Sequence, residues 1–264
     1  MTLTVSSLHN YPLKSAQGNE LSVMSFDVMG PIMDRRWMVV DAKNRFLTQR
    51  EIPAMCKISA HVVSDCLVLG AEGKTQCLVP TPYSAVALKV QVWGDTVSAV
   101  DCGEASAHWL SEFLGVHCRL LYMPSESRRL VDTNYALAEE RVSFADGFPL
   151  LLISQASLDD LNSRLVEKIS MARFRPNIVV SGCEAFAEDN WQRLRIGERE
   201  LSVVKPCTRC VIPSIDPVTG VQQSEVVREL AKYRRKDGEI IFGQNLLVAG
   251  TGDIEPGDSV EILA

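Results

Sequence analysis

An α+β fold with a strand majority is the class this sequence predicts. Three observations carry the prediction. Short runs rich in β-branched residues crowd the first hundred positions, Gly, Asn, Asp and Pro separate them, and helical spacing is confined to a few later segments. Many short strands between turn signals point to a sandwich or barrel rather than to alternating βαβ units.

In chain order, Leu3, Val5 and Leu8 lead a first strand into Tyr11-Pro12. The runs Leu21-Ser-Val-Met-Ser-Phe-Asp-Val, Arg36-Trp-Met-Val-Val-Asp, His61-Val-Val, Cys66-Leu-Val-Leu and Cys77-Leu-Val follow. Val86-Ala-Leu-Lys-Val-Gln-Val-Trp comes next, and its Lys89 and Gln91 alternate with Val90 and Val92, as on a strand with one wet face. Residues 104–113 form a short helix with Ala107, Trp109, Leu110 and Phe113 on its apolar side. Residues 157–168 form a second, with Ser157 as cap, Asp159 and Asp160 in the first turn, and Leu158, Leu161 and Leu165 at helical spacing. Residues 224–233 form a third, with Val227, Leu230 and Tyr233 as the inner stripe. Asn177-Ile-Val-Val-Ser, Leu201-Ser-Val-Val and Leu246-Leu-Val-Ala read as strands, and the chain from Arg193 to Val204 reads as a hairpin turning at Gly197. The polar stretch Pro124-Ser-Glu-Ser-Arg-Arg divides the chain into parts 1–123 and 124–264.

A chain of 264 residues, 46% hydrophobic and 23% charged, buries a sizeable core without disulfides. Its net charge of −6 argues against nonspecific binding of nucleic-acid polymers, yet leaves room for a local basic pocket around a small anion. No stretch approaches the roughly 20 apolar residues that cross a bilayer, and the N-terminus lacks the basic and apolar regions of a signal peptide. Neither a membrane nor a secreted setting is therefore expected. The eight cysteines fall far below disulfide-scaffold density and read mostly as small buried hydrophobes in a reducing cytoplasm.

Cys207 and Cys210 stand apart. In Lys205-Pro-Cys-Thr-Arg-Cys the flanking cations favour a thiolate. A zinc site would need further ligands, and His9, His61, His108 and His117 show no ligand spacing. A thioredoxin-like pair would sit at a helix start, which Val211-Ile-Pro213 disfavours. A single thiolate on a soft metal, with the other cysteine structural, stays open beside these. Elsewhere, Lys14 and Ser15 end the first strand, Arg35 and Arg36 precede another, and Arg175 lies just before Asn177. Each cation alone fits a solvated surface, whereas together they supply the paired donors that a phosphate or pterin needs. Asp146-Gly147 adds a turn where backbone can approach a ligand closely.

Taken as an ordered set, these segments resemble the MOSC superfamily (molybdenum cofactor sulfurase C-terminal domain), joined to the N-terminal β-barrel region that accompanies it. The resemblance runs through Tyr11-Pro-Leu-Lys-Ser, Asp34-Arg-Arg-Trp, Phe144-Ala-Asp-Gly-Phe-Pro, Ala156-Ser-Leu-Asp-Asp-Leu-Asn, Phe174-Arg-Pro-Asn-Ile-Val-Val-Ser-Gly-Cys, Glu188-Asp-Asn-Trp, Lys205-Pro-Cys-Thr-Arg-Cys and Phe242-Gly-Gln-Asn. Within the superfamily the chain looks most like the amidoxime-reducing components and the bacterial proteins that detoxify N-hydroxylated bases. The resemblance implies a MOSC β-barrel domain with an N-terminal β-barrel-like region, and a molybdenum cofactor (molybdopterin without an attached nucleotide). It implies Cys210 as the molybdenum ligand and catalytic residue, with Cys207 a neighbour. It places Lys14, Ser15, Arg35, Asp146, Gly147, Arg175, Asn177, Thr208 and Arg209 around the cofactor. The implied reaction reduces amidoximes or hydroxylamines to amidines or amines; the alternative is a cofactor-binding or sulfur-carrier module without turnover. The sequence carries no Cys-x4-Cys-x2-Cys ferredoxin run and no N-terminal anchor, so the expectation is no iron-sulfur cluster, electrons from a separate ferredoxin or flavoprotein reductase, and a cytoplasmic location.

Overall fold

Leu150–Ser154 is buried at all five positions and lies inside the main sheet. That is the signature of a strand covered on both faces: Leu150 and Leu152 pack with Val5, Leu8, Ile178 and Leu246, while Leu151 and Ile153 pack with Phe174, Phe242 and two helices. The computed structural model describes residues 2–82, 87–136 and 139–264. Its nine-stranded sheet runs, in spatial order, Val260–Ile262, Arg193–Ile196, Arg199–Thr208, Glu239–Ala249, Leu150–Ser154, Ile178–Ser181, Thr4–Asn10 and Asn19–Leu21, with Arg235–Lys236 paired to one end of Glu239–Ala249. The first strand of the chain thus completes a sheet whose other long strands come from the second half.

A four-stranded sheet of Trp37–Val40, Arg119–Tyr122, Asp95–Asp101 and Ala87–Val92, and a three-stranded one of Ser59–Val63, Cys66–Gly70 and Cys77–Pro80, make up the rest with a two-stranded ribbon. Alternation along Trp37–Val40 again feeds two cores. Trp37 and Val39 meet Leu67, Leu69 and Leu110, and Met38 and Val40 meet Val90, Val92 and Leu121.

The strand majority holds: among the described residues eighteen strands stand against three α-helices, α1 (Glu104–Leu114), α2 (Gln155–Arg164) and α3 (Glu225–Tyr233). Several expectations need correction. Among the described residues no strand ladder closes the main sheet into a barrel; its ends are drawn together by the single bridges Thr4–Ser259 and Met24–Ile254. One βαβ unit is present, because Leu150–Ser154 and Ile178–Ser181 are parallel and joined through α2. The cap of α2 is Ser154, whose Oγ accepts from Ser157 N, so that helix begins earlier than residue 157 and ends at Arg164. In α3 the buried stripe is Val226 and Leu230 rather than Val227. The run from Leu21 to Val28 is split into Asn19–Leu21 and Phe26–Asp27. Asp95–Asp101, Arg119–Tyr122 and Leu150–Ser154 are strands that the sequence reading passed over. The alternation of Lys89 to Val92 is borne out within Ala87–Val92, while Val86 lies outside the described residues. All eight cysteines are free. Among the described residues no helix is long and apolar enough to cross a membrane.

Candidate active site

Both halves of the chain meet at a narrow cleft of about 130 Å³. Lys14, Ser15, Arg35, Asp146, Gly147, Arg175, Asn177, Thr208, Arg209 and Cys210, scattered over nearly 200 residues of sequence, all line it. The cleft continues into a wider vestibule of about 700 Å³, and Asp146, Gly147 and the segment from Cys207 to Cys210 border both spaces.

The cysteine segment reaches this position through irregular strand geometry. Arg199–Thr208 pairs with Glu239–Ala249, but the register shifts between Val203 and Lys205 and again between Pro206 and Thr208. Pro206 has no N–H to donate, and bulges of this kind re-aim the side chains that follow. The last rung is Arg209 N donating to Ile240 O at 2.7 Å, after which the chain leaves the sheet and turns through Ile212–Ser214. Gly243 lets the partner strand pass close to Leu150–Ser154: at φ +79° an added Cβ would sit 2.6 Å from Ile153 Cγ1. The two cysteines end in different surroundings. Cys207 packs against the Phe174–Phe242 cluster, where burial pushes its thiol up against the opposing charge of Arg209. Cys210 is exposed to the cleft and vestibule.

The cationic wall stands on strained backbone. Ser15, Arg35 and Arg175 adopt φ of 68°, 48° and 58°, a left-handed region that costs a non-glycine residue about 1–2 kcal/mol. Tyr11 braces two of them. Its ring centroid lies 4.4 Å from the Arg35 guanidinium carbon and 4.2 Å from that of Arg175, and its hydroxyl donates to Pro176 O at 2.9 Å. Burial pushes the Tyr11 phenol up to about 12, so it stays protonated. Asp34, only 2% exposed, accepts from Tyr11 N and pairs with Arg35. Burial works against the Arg35 charge, but the adjoining Asp34 carboxylate outweighs it and raises the guanidinium pKa. Asn177 is a strut: its Oδ1 accepts from Arg35 Nη1 and Leu151 N, and its Nδ2 donates to His9 O.

Lys14 donates to Phe144 O at 2.7 Å and to Asp146 Oδ1 at 2.6 Å. Burial pushes the Lys14 ammonium down, with Asp146 opposing. Surrounding protein pushes the Asp146 carboxyl up even though its side chain is open to the cleft, but Lys14 and the Trp93 indole outweigh this and hold the group well below the usual carboxylate range.

Arg175 and Arg209 complete the wall. Arg209 donates from Nε to Phe242 O at 2.9 Å and from Nη1 to Phe174 O at 3.1 Å, and Arg175 donates from Nη1 to Ala16 O. Among the described residues, Nη2 of each is buried without a partner. Burial, with repulsion from Arg35, brings Arg175 down to about 10, still cationic at neutral pH. A buried donor left unpaired costs about 1–3 kcal/mol, so these two nitrogens mark where an acceptor belongs.

Sequence reasoning missed Thr48, Arg50, Phe148 and Arg173 as lining residues. Arg50 sits in a polar loop with no local signal. Arg173, two residues before Arg175, bonds Asp216, Gln223 and Pro213 O and so shapes the loop after Cys210. Among the described residues no group of three or more His, Cys, Asp and Glu side chains comes together as a metal-binding set.

Comparison with known proteins matches residues 139–261 to the MOSC domain and residues 2–117 to the MOSC N-terminal beta barrel domain. Mitochondrial amidoxime-reducing component 1 of Homo sapiens is 35% identical over an alignment covering 98% of this chain and 83% of that protein. The Mus musculus protein of the same name is 36% identical, covering 98% and 82%, and mitochondrial amidoxime reducing component 2 of Homo sapiens is 34% identical, covering 97% and 82%. Among solved structures, the YUAD protein from Bacillus subtilis aligns over 98% of this chain and 94% of that one at 12% identity and a TM-score of 0.45.

Proposed function

The chain belongs to the MOSC-domain family that includes the amidoxime-reducing components, and from that premise we propose that it is a molybdenum cofactor-dependent reductase of N-hydroxylated compounds with Cys210 as the metal's protein ligand. One observation carries the reading: an exposed cysteine stands between a cation-walled cleft with two unpartnered arginine nitrogens and an open vestibule.

The residues present fit an anionic pterin. Lys14, Arg35, Arg175 and Arg209 offer charge and planar donors, and the orphaned Nη2 atoms of the last two gain acceptors when a phosphate or pterin oxygen enters. Asp34, Asn177 and the Tyr11 ring hold the guanidinium groups in place beforehand. Ser15, Gly147 and Thr208 add polar and backbone groups to the lining. The bound cofactor supplies the two-electron centre that side chains lack. Overall the reaction adds two electrons and two protons to an N–OH group, giving N–H and water. Asp146 is ionised at neutral pH and is no proton donor; it orients Lys14 and the Trp93 indole. The vestibule admits the substrate and the water that supplies protons. A separate ferredoxin or flavoprotein reductase delivers the electrons.

The test is molybdenum and pterin content of protein made in a host that synthesises the cofactor, followed by turnover of an amidoxime with a chemical reductant. About one molybdenum and one pterin per chain is the expected result. Cys210→Ala should fold and lose the turnover. Loading without turnover in the parent protein would turn the reading into the cofactor-carrier alternative, and full activity in Cys210→Ala would remove Cys210 as ligand.

A further inference from the structure

Trp93 breaks a local rule. Val92 pairs with Asp95, so Trp93-Gly94 is the two-residue loop of the hairpin formed by Ala87–Val92 and Asp95–Asp101. Such loops need left-handed backbone at the first position, or at both, where Gly, Asn or Asp is favoured. Here the left-handed residue is the tryptophan, at φ +55°, while Gly94 does not adopt that region. A bulky residue held there is an outlier, and outliers of this kind gather at functional sites.

The strained side chain is not placed to fill a core. Trp93 is 47% exposed and borders the vestibule that also contains Cys210. Its Nε1 donates to Asp146 Oδ1 at 3.2 Å, the same oxygen that binds Lys14. The Arg50 guanidinium carbon lies 4.4 Å from the ring centroid, and Phe46 supports the ring at 5.1 Å. Arg50 forms none of the ion pairs seen among the described residues, and it lines both cleft and vestibule. Indole and guanidinium are both planar, and with the indole 47% exposed the pair offers a flat π-system a stacking surface at the vestibule.

We propose that the Trp93–Arg50 pair is the specificity-determining wall of the vestibule and selects flat, conjugated N-hydroxylated substrates over aliphatic ones by stacking. This rests on the reductase reading. The probes are benzamidoxime and acetamidoxime, which share the reacting group and differ in phenyl against methyl. Trp93→Asn suits the left-handed turn and so keeps the hairpin, while Trp93→Phe keeps a ring. In Trp93→Asn the benzamidoxime-to-acetamidoxime ratio of kcat/KM should fall about tenfold or more, mainly through the benzamidoxime KM, and Trp93→Phe should restore it to within about threefold. Calorimetric titration of benzamidoxime without reductant should show the same order of affinities. An unchanged ratio in Trp93→Asn overturns the proposal. If the parent protein reduces neither compound, the reductase reading falls and the titration decides alone: weakened binding in Trp93→Asn sustains the stacking wall, and equal binding removes it.

Discussion

Two sets of arginines in this molecule do opposite things with the same side chain. Arg36 and Arg129 are nearly fully buried, and their donors are occupied. Arg36 donates to Met123 O, Asp27 and the Tyr122 hydroxyl; Arg129 donates to Asp95 and to the carbonyls of Ser143, Ala145 and Asp146. They are staples, and Arg129 fastens the hairpin of Ala87–Val92 and Asp95–Asp101 to the turn that carries Asp146. Arg175 and Arg209 bond backbone carbonyls with part of their forks and leave a buried Nη2 unpartnered at the cleft. The difference separates a guanidinium whose donors are all used from one with a donor to spare: it lies in which donors remain after the protein's own acceptors are counted.

The largest expected break comes from the staples. Arg129→Met removes the donor to Asp95 and three backbone carbonyls, and should lower stability by about 3–5 kcal/mol in urea unfolding. Arg175→Met should lower stability in urea unfolding by less than about 1 kcal/mol, because removal of an unpartnered buried donor offsets loss of the bond to Ala16 O, while pterin retained after purification falls about tenfold or more. If the two variants were equally destabilised, the distinction between staple and binding arginine would fail. The smallest effect comes from Asp146, whose backbone carbonyl Arg129 holds and whose carboxylate lines the cleft with Arg175 and Arg209. The native carboxyl pKa of Asp146 is depressed, so its contribution is full above about pH 4 and is lost as pH falls through the lower native value. Its side chain is 66% exposed, which limits the contribution to under about 1 kcal/mol. Stability measured from pH 7 to pH 3 should therefore decline slightly more steeply in the parent protein than in Asp146→Asn.

Legibility in the sequence followed the range of the interactions. Alternation marked Ala87–Val92, and Gly197, at φ +58°, marked the hairpin of Arg193–Ile196 with Arg199–Thr208. Leu150–Ser154 escaped because an unbroken apolar run carries no period. Ser157 was misread as a cap because Ser154 stands three residues earlier and takes that role, leaving the Ser157 hydroxyl to bond Glu188. Lys14, Arg35 and Arg175 are visible as cations in loops, whereas Arg50 and Trp93 carry no local mark, since only the tertiary structure brings them together at the vestibule.

By itself the sequence determined the strand-rich class, the short helices, the ordered motifs of the family and the inventory of cations and thiols. Only the tertiary structure decided their assignments. Arg35 faces the cleft and Arg36 the core because left-handed backbone at Arg35 turns two consecutive guanidinium groups apart. Cys207 packs on phenylalanines and Cys210 lies open because the strand leaves its ladder between them. The physical reason is common to both. A residue's type fixes which bonds it can make, but strand register, bulges and backbone sign set its direction, and the partners it meets there lie far along the chain, as Ala16 does from Arg175 and Met123 from Arg36.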